Sequence, residues 1–191
     1  MEAVHNFALS NNRTLKVFYD ENPDSPRNWD NLSKMIFIGG HSHLGDKHEF
    51  HSIHESLEAH EAFIAKKLDV AYIARVYAYI HSGMTISLTP FSCRWDSGCL
   101  GWVVVTKEAI RNEYGVKRVT KKSIDKAIEV VKGEIKVLDQ YVGGDVYGFR
   151  IEDAEGNEED SCWGFFGDKI EDNGILDYVD EADREKVLEQ V

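Results

Sequence analysis

Cysteine and proline are scarce, with three of each in 191 residues. Cys93, Cys99 and Cys162 are an odd number, too few for the disulfide framework of a small secreted domain, so reduced and mostly structural thiols are expected. With 15 glycines and three prolines, collagen-like and Pro-rich low-complexity chains are excluded. No run of 18 apolar residues occurs, and the N-terminal MEAVHNFALSNNRTLK has no basic stretch leading into an apolar one. A soluble, cytoplasmic protein is expected. An excess of positive charge is also missing: 22 Lys and Arg face 34 Asp and Glu, a formal charge of −12. Such a balance argues against a protein that grips the nucleic-acid backbone directly. Neither a GxSxG elbow, a phosphate-binding P-loop nor a GxGxxG turn is present.

What the chain does have is 42% hydrophobic residues, enough for a substantial core, and a sharply localised charge. Residues 1–144 carry 18 acidic and 18 basic side chains, whereas residues 145–191 carry 16 and 4. Glu152, Asp153, Glu155, Glu158, Glu159 and Asp160 crowd one window. Asp168, Glu171, Asp172, Asp177, Asp180, Glu181, Asp183, Glu185 and Glu189 follow. A concentrated acidic end either steers the protein onto a basic partner or simply keeps it soluble. Trp163, Phe165, Phe166, Ile175, Leu176 and Tyr178 lie among these acids, which predicts a folded region rather than a loose tail.

The pattern along the chain predicts an α+β protein: a single compact domain with a twisted, mostly antiparallel sheet and three or four helices. Strands are expected at 14–19, 35–39, 70–80, 84–89 and 99–105, and helices from about Ser52 to Leu68 and across 107–114. Thr120 caps a further helix that Gly133 is expected to end. Residues 134–142 and 145–153 then read as a hairpin around Gly143-Gly144. An acidic turn over 154–160 leads to a strand at 161–166, and a last helix covers about 181–190.

Several constellations bear chemistry. His41, His43, His48, His51, His54 and His60 fall within 20 residues, with Asp46 and Glu55 as possible oxygen donors. Imidazoles suit zinc and similar metals, but the spacing matches no metalloprotease or zinc finger, so no metal and no cofactor is expected. Asp20-x-Asn22-x-Asp24 begins like a calcium loop and then fails at Ser25 and Asn31, where glycine and glutamate are needed; local Asx turns explain it as well. Cys93 with His81 and Asp96 makes an unspecific nucleophile arrangement. Asp96, Asp139, Asp145 and Asp160 permit carboxylate pairs without requiring them. Trp102 and Trp163 read as core or corner residues, while Trp29 and Trp95, in Asp- and Gly-rich loops, are candidate exposed anchors.

The segments YDENPDSPRNWDNL (19–32), LGDKH (44–48), TPFSCRWDSG (89–98), EYGVKR (113–118), DQYVGGDVYGF (139–149) and DSCWGFFG (160–167) are similar to a family of small proteins encoded by bacteriophages and bacterial mobile elements. That family has basic and aromatic residues where this chain has Gly40-His41-Ser42-His43, so the resemblance implies no family-wide metal site. It carries no catalytic residues over. It implies a small accessory protein acting inside a bacterial cell, similar in gross character to anti-CRISPR and antirestriction inhibitors. The leading expectation is therefore a protein that binds and inhibits a bacterial nucleic-acid-processing defence protein, such as a CRISPR effector or restriction enzyme, through acidic residues 152–189. Trp163, Tyr178, Trp29 and Trp95 would serve as apolar anchors, with neither nucleic acid nor membrane contacted directly. The alternatives are a small metal- or cysteine-dependent enzyme and a virion-associated part.

Overall fold

The computed structural model describes residues 2–51 and 56–191. Ser52, Ile53, His54 and Glu55, which the sequence reading placed at a helix start and in the histidine cluster, lie outside the described residues. In chain order the elements are β1 (His5–Ala8), β2 (Thr14–Tyr19), β3 (Lys34–Phe37), α1 (Leu57–Lys67), β4 (Val70–Ile80), β5 (Met84–Ser87) and β6 (Ser97–Thr106). They continue with α2 (Lys107–Tyr114), α3 (Lys121–Gly143), β7 (Val146–Glu152), β8 (Glu158–Phe166) and α4 (Glu181–Leu188). The class is α+β with antiparallel pairing throughout. The strands form two four-stranded sheets, ordered β1-β2-β7-β8 and β3-β6-β4-β5. Each sheet belongs to its own compact unit: a central one, residues 25–142, and a terminal one built from residues 1–24 and 143–191. Among the described residues no helix is long and apolar enough to cross a membrane.

In the central unit, β3 and β6 are buried on both faces, which is why MIF and WVVV read as unbroken apolar runs. Met35, Phe37, Val103 and Val105 face Ile110 of α2 and Ala127, Val131, Ile135 and Leu138 of α3. Ile36, Trp102 and Val104 pack with Phe50, which precedes α1, and with Ile64 of α1 on the other side. Gly101 is required where β6 passes β3: its φ is +155°, and a Cβ there would overlap the Ile36 carbonyl oxygen. Thr106 caps α2 by accepting from the Ala109 N–H at 3.0 Å, and Gly115 ends it in the left-handed region at φ 61°. Ser56 caps α1 in the same way, accepting from the Ala59 N–H at 3.1 Å.

The largest departure from expectation is α3. Thr120 does begin it, trading hydrogen bonds with Ser123, but Gly133 does not stop it. Residues 134–142 are helix rather than strand. Ile135 and Leu138 continue the spacing of Ala127 and Val131 and are buried. Burying each of these side chains is worth roughly 1.5–3 kcal/mol, against about 1 kcal/mol for one glycine on an exposed helix face. The helix ends at Gly143, and Gly144 takes the left-handed turn at φ +82°.

The terminal unit therefore recruits β2, not 134–142, as the partner of β7: Leu15 faces Ile151 and Val17 faces Phe149. One side of this sheet buries Phe7, Leu15, Val17, Phe149 and Ile151 under Ile170, Ile175, Val179 and Val187 from the chain after β8. The short edge strand β1 has no counterpart in the sequence reading. Its four residues, HNFA, show a single buried position, too little to make a period.

Candidate interaction surface

The charge is divided more sharply by fold than by sequence. The terminal unit holds 20 acidic and 6 basic side chains, a formal −14, and the central unit is left at +2. At the outer edge of the terminal sheet, Asp153 closes the β7–β8 turn. Its carboxylate accepts from the Glu155 and Asn157 N–H groups at 3.0 and 2.7 Å and from the Asn157 amide at 2.9 Å. Those bonds, the Asn157 side chain first, hold its pKa below the usual carboxylate value. So tight a turn lets β8 start at Glu158, which places Glu158, Glu159 and Asp160 on an edge strand instead of in the expected acidic loop.

These acids are not equivalent. Glu152 pairs with Lys16 at 2.6 Å, Glu158 with Arg150 at 3.3 Å, and Glu159 lies 3.7 Å from Arg13. Asp160 accepts from the Ser161 N–H at 2.8 Å. Glu155, Asp168, Glu171 and Asp172 are exposed and make no ion pair among the described residues. Glu181, Glu185 and Glu189, on and just past α4, are exposed at a spacing of four and extend the charge along one face. Asp180 and Asp183 instead grip Arg13 at 2.6 and 3.2 Å.

Aromatic residues interrupt the acids at two points. Trp163 is 37% exposed and lies across Gly148, where a Cβ would overlap the indole, with the Phe18 ring 6.1 Å away. Arg150 sits 5.4 Å from the centre of the same Phe18 ring. Tyr178, 48% exposed, is held by Phe149 at 5.1 Å and edge-on by Phe165 at 5.5 Å. Both present a pre-ordered ring to solvent, the state that loses least entropy on binding. Trp29 and Trp95 are 50% and 95% exposed but belong to the central unit.

No family model, curated protein or solved structure matches the chain.

The remaining candidates are placed as follows. Among the described residues no three of His, Cys, Asp and Glu are grouped to hold a metal ion. His41 and His43 sit on a short helical turn with ring centres 6.3 Å apart. His48 has both ring nitrogens engaged: Nε2 lies 2.7 Å from the Phe37 carbonyl, which can only accept, and Nδ1 lies 3.0 Å from the Phe50 N–H, which can only donate. Neither nitrogen is left for a metal. His51 stacks on His48 at 4.7 Å, and His60 is buried against Trp102 at 4.8 Å. Asp20 accepts from the Asn22 N–H at 3.1 Å, the Asx turn that explains the calcium-like spacing. Cys93 lies 3.7 Å from Asp96, while His81 stacks with Tyr79. Burial pushes the Cys99 thiol up. Asp139 is occupied in holding β5, accepting from the Ile86 N–H at 2.7 Å.

One grouping was invisible in the sequence. Arg27 donates from Nη2 to the Ser33 carbonyl at 2.7 Å and to Asp46 at 2.6 Å, and its Nη1 lies 3.4 Å from Glu134. Glu134 in turn accepts from the Leu32 N–H at 2.8 Å and from the Ser33 hydroxyl. An arginine directly after a loop proline and a glutamate in a helix, 107 residues apart, carry no local signal of a partnership.

Proposed function

We propose that the protein is an inhibitor or adaptor whose acidic terminal unit occupies a basic, nucleic-acid-binding surface on a bacterial defence protein. The observation that carries this reading is the −14 charge confined to one unit, which among the described residues exposes seven carboxylates without ion pairs and two ordered aromatic rings, Trp163 and Tyr178, one on each face of the β7–β8 pair. The acids speed encounter with Lys- and Arg-lined surfaces, and such steering raises association rates by roughly 10- to 1,000-fold at low salt. Trp163 and Tyr178 supply the apolar anchors that hold the complex once formed. The paired acids Glu152, Glu158 and Glu159 shape the sheet edge, while Glu155, Asp168, Glu171 and Asp172 do the steering. Identification of the partner as a CRISPR effector or restriction enzyme, in the bacterial cytoplasm, follows the resemblance to phage and mobile-element proteins.

The test uses the full chain as bait in bacterial lysate at about 50 and about 300 mM salt, between which the Debye length falls from about 14 to about 6 Å. A variant with Glu155→Lys, Asp168→Lys, Glu171→Lys and Asp172→Lys serves as the comparison, because none of these side chains supports the fold through an ion pair. A nucleic-acid-processing protein should be retained by the wild type at low salt and released at high salt, and the variant should not retain it. Equal retention by the reversed variant, or indifference to salt, defeats the electrostatic reading.

A further inference from the structure

We propose that this protein pairs with a second copy of itself through the β5–β6 loop of the central unit, each protomer seating its Trp95 ring in a cleft of about 360 Å³ beside the same loop of its partner. A knob and a hole stand side by side there.

The knob is Trp95. It is 95% exposed, the most exposed large hydrophobic side chain among the described residues, and its ring makes no hydrogen bond or ring contact among them. The loop beneath it is nevertheless pinned. The Asp96 carbonyl accepts from the Ile80 N–H at 2.7 Å, and the Ser97 hydroxyl donates to the Cys93 carbonyl. A bare indole on a pinned loop leaves apolar surface in water and loses little entropy when it is covered.

The hole comes from two small residues. Ala78 and Gly98 stand opposite each other in β4 and β6, so this pair puts one methyl group where Ile80 and Leu100, two residues along each strand, carry full side chains. Gly98 has nothing within 4 Å of a Cβ position. Ile38 adds a further apolar wall, and Ile80 is itself 40% exposed.

A foreign partner needs only the knob or only the hole. Both on one patch are what a two-fold pairing requires, since each copy then gives one and receives one. The charges flanking the ring agree with this. Arg94 and Asp96 make no ion pair among the described residues. Loops that meet antiparallel across a two-fold axis bring each Arg94 against the partner's Asp96. Two tryptophans bury about 300–500 Å² between them, which places the pairing among small, transient interfaces rather than the stable ones above roughly 1,200 Å².

The test is sedimentation equilibrium of the full chain from about 1 to about 500 µM at about 300 mM salt, where repulsion between two copies of charge −12 is largely screened. A reversible monomer–dimer equilibrium is expected, with a Kd of about 10–100 µM. Trp95→Ala removes the knob, whose ring supports nothing in the fold, and Gly98→Leu fills the hole. Each should weaken pairing at least about tenfold. Mixed in equal amounts, the two variants should associate more tightly than either does alone, because Trp95 of the Gly98→Leu chain still finds the open cleft of the Trp95→Ala chain. A monomer throughout that range, wild-type pairing by either variant, or no gain on mixing overturns the proposal.

Discussion

Asp183 offers the most direct test of how the terminal unit is held together. Its side chain is 1% exposed, and it accepts from the Ser10 N–H at 2.8 Å, the Ser10 hydroxyl at 2.6 Å and Arg13 Nη2 at 3.2 Å. These bonds fasten α4 to the turn before β2, 173 residues away in sequence. Replacing the carboxylate by an amide keeps the shape, removes the charge and points an N–H₂ group at donors. Hydrogen bonds to a charged group are worth about 1.5–3 kcal/mol and roughly twice their neutral counterparts. Asp183→Asn should therefore cost about 2 kcal/mol and Asp183→Ala about 3 kcal/mol. The Ser10 bonds hold the Asp183 carboxyl below its usual pKa. Because the folded value is depressed, the stabilisation is complete above the unfolded value near 3.9 and fades as pH drops through the folded one. Hydrogen exchange on peptides from residues 1–24 and 143–191 reads the terminal unit alone. At pH 7 the slowest amides of β2 and β7 should exchange about thirtyfold faster in Asp183→Asn, and the difference should shrink at pH 3. A change under threefold at pH 7, or a penalty as large at pH 3, refutes the assignment.

Two further substitutions probe the continuity of α3 and the seat of Trp163. Gly133→Ala should stabilise the protein by about 0.5–1 kcal/mol, because the position is helical, exposed and has nothing within 4 Å of a Cβ. A lower midpoint in urea would mean that α3 is interrupted there after all. Gly148→Ala should push the Trp163 indole off the sheet, costing about 1–3 kcal/mol and shifting tryptophan emission to the red. Unaltered stability together with an unaltered spectrum would remove Gly148 as the seat of that ring.

Legibility in the sequence followed how locally each feature is encoded. Strands β2, β3, β4 and β6 announce themselves by alternation or by apolar runs, and α2 by Thr106 and Gly115 at its two ends. The expected break at Gly133 failed because a glycine signal of about 1 kcal/mol was set against the burial of Ile135 and Leu138, which depends on strands far away in the chain. Losing 134–142 to the helix also hid the pairing of β7 with β2, since no local pattern names a partner more than 120 residues distant. For the surface, the acidic content was readable as composition. Its division into paired and unpaired carboxylates was not, because Lys16, Arg13 and Arg150 become neighbours of Glu152, Glu159 and Glu158 only once the sheet has formed. The Arg27 network was hidden for the same reason.

The terminal sheet is built from two stretches of chain with 118 residues of the central unit between them. During synthesis at roughly 5–20 residues per second, β1 and β2 wait on the order of 6–24 s before β7 can be made. Throughout that interval Leu15 and Val17 have only the short β1 beside them and lack β7, while the central unit, contiguous in sequence, is free to complete itself. The first hairpin is thus the chain's most vulnerable segment on the ribosome. The acidic stretch that follows β7 also carries Ile170, Ile175, Val179 and Val187, so the cover of that apolar face is made later still.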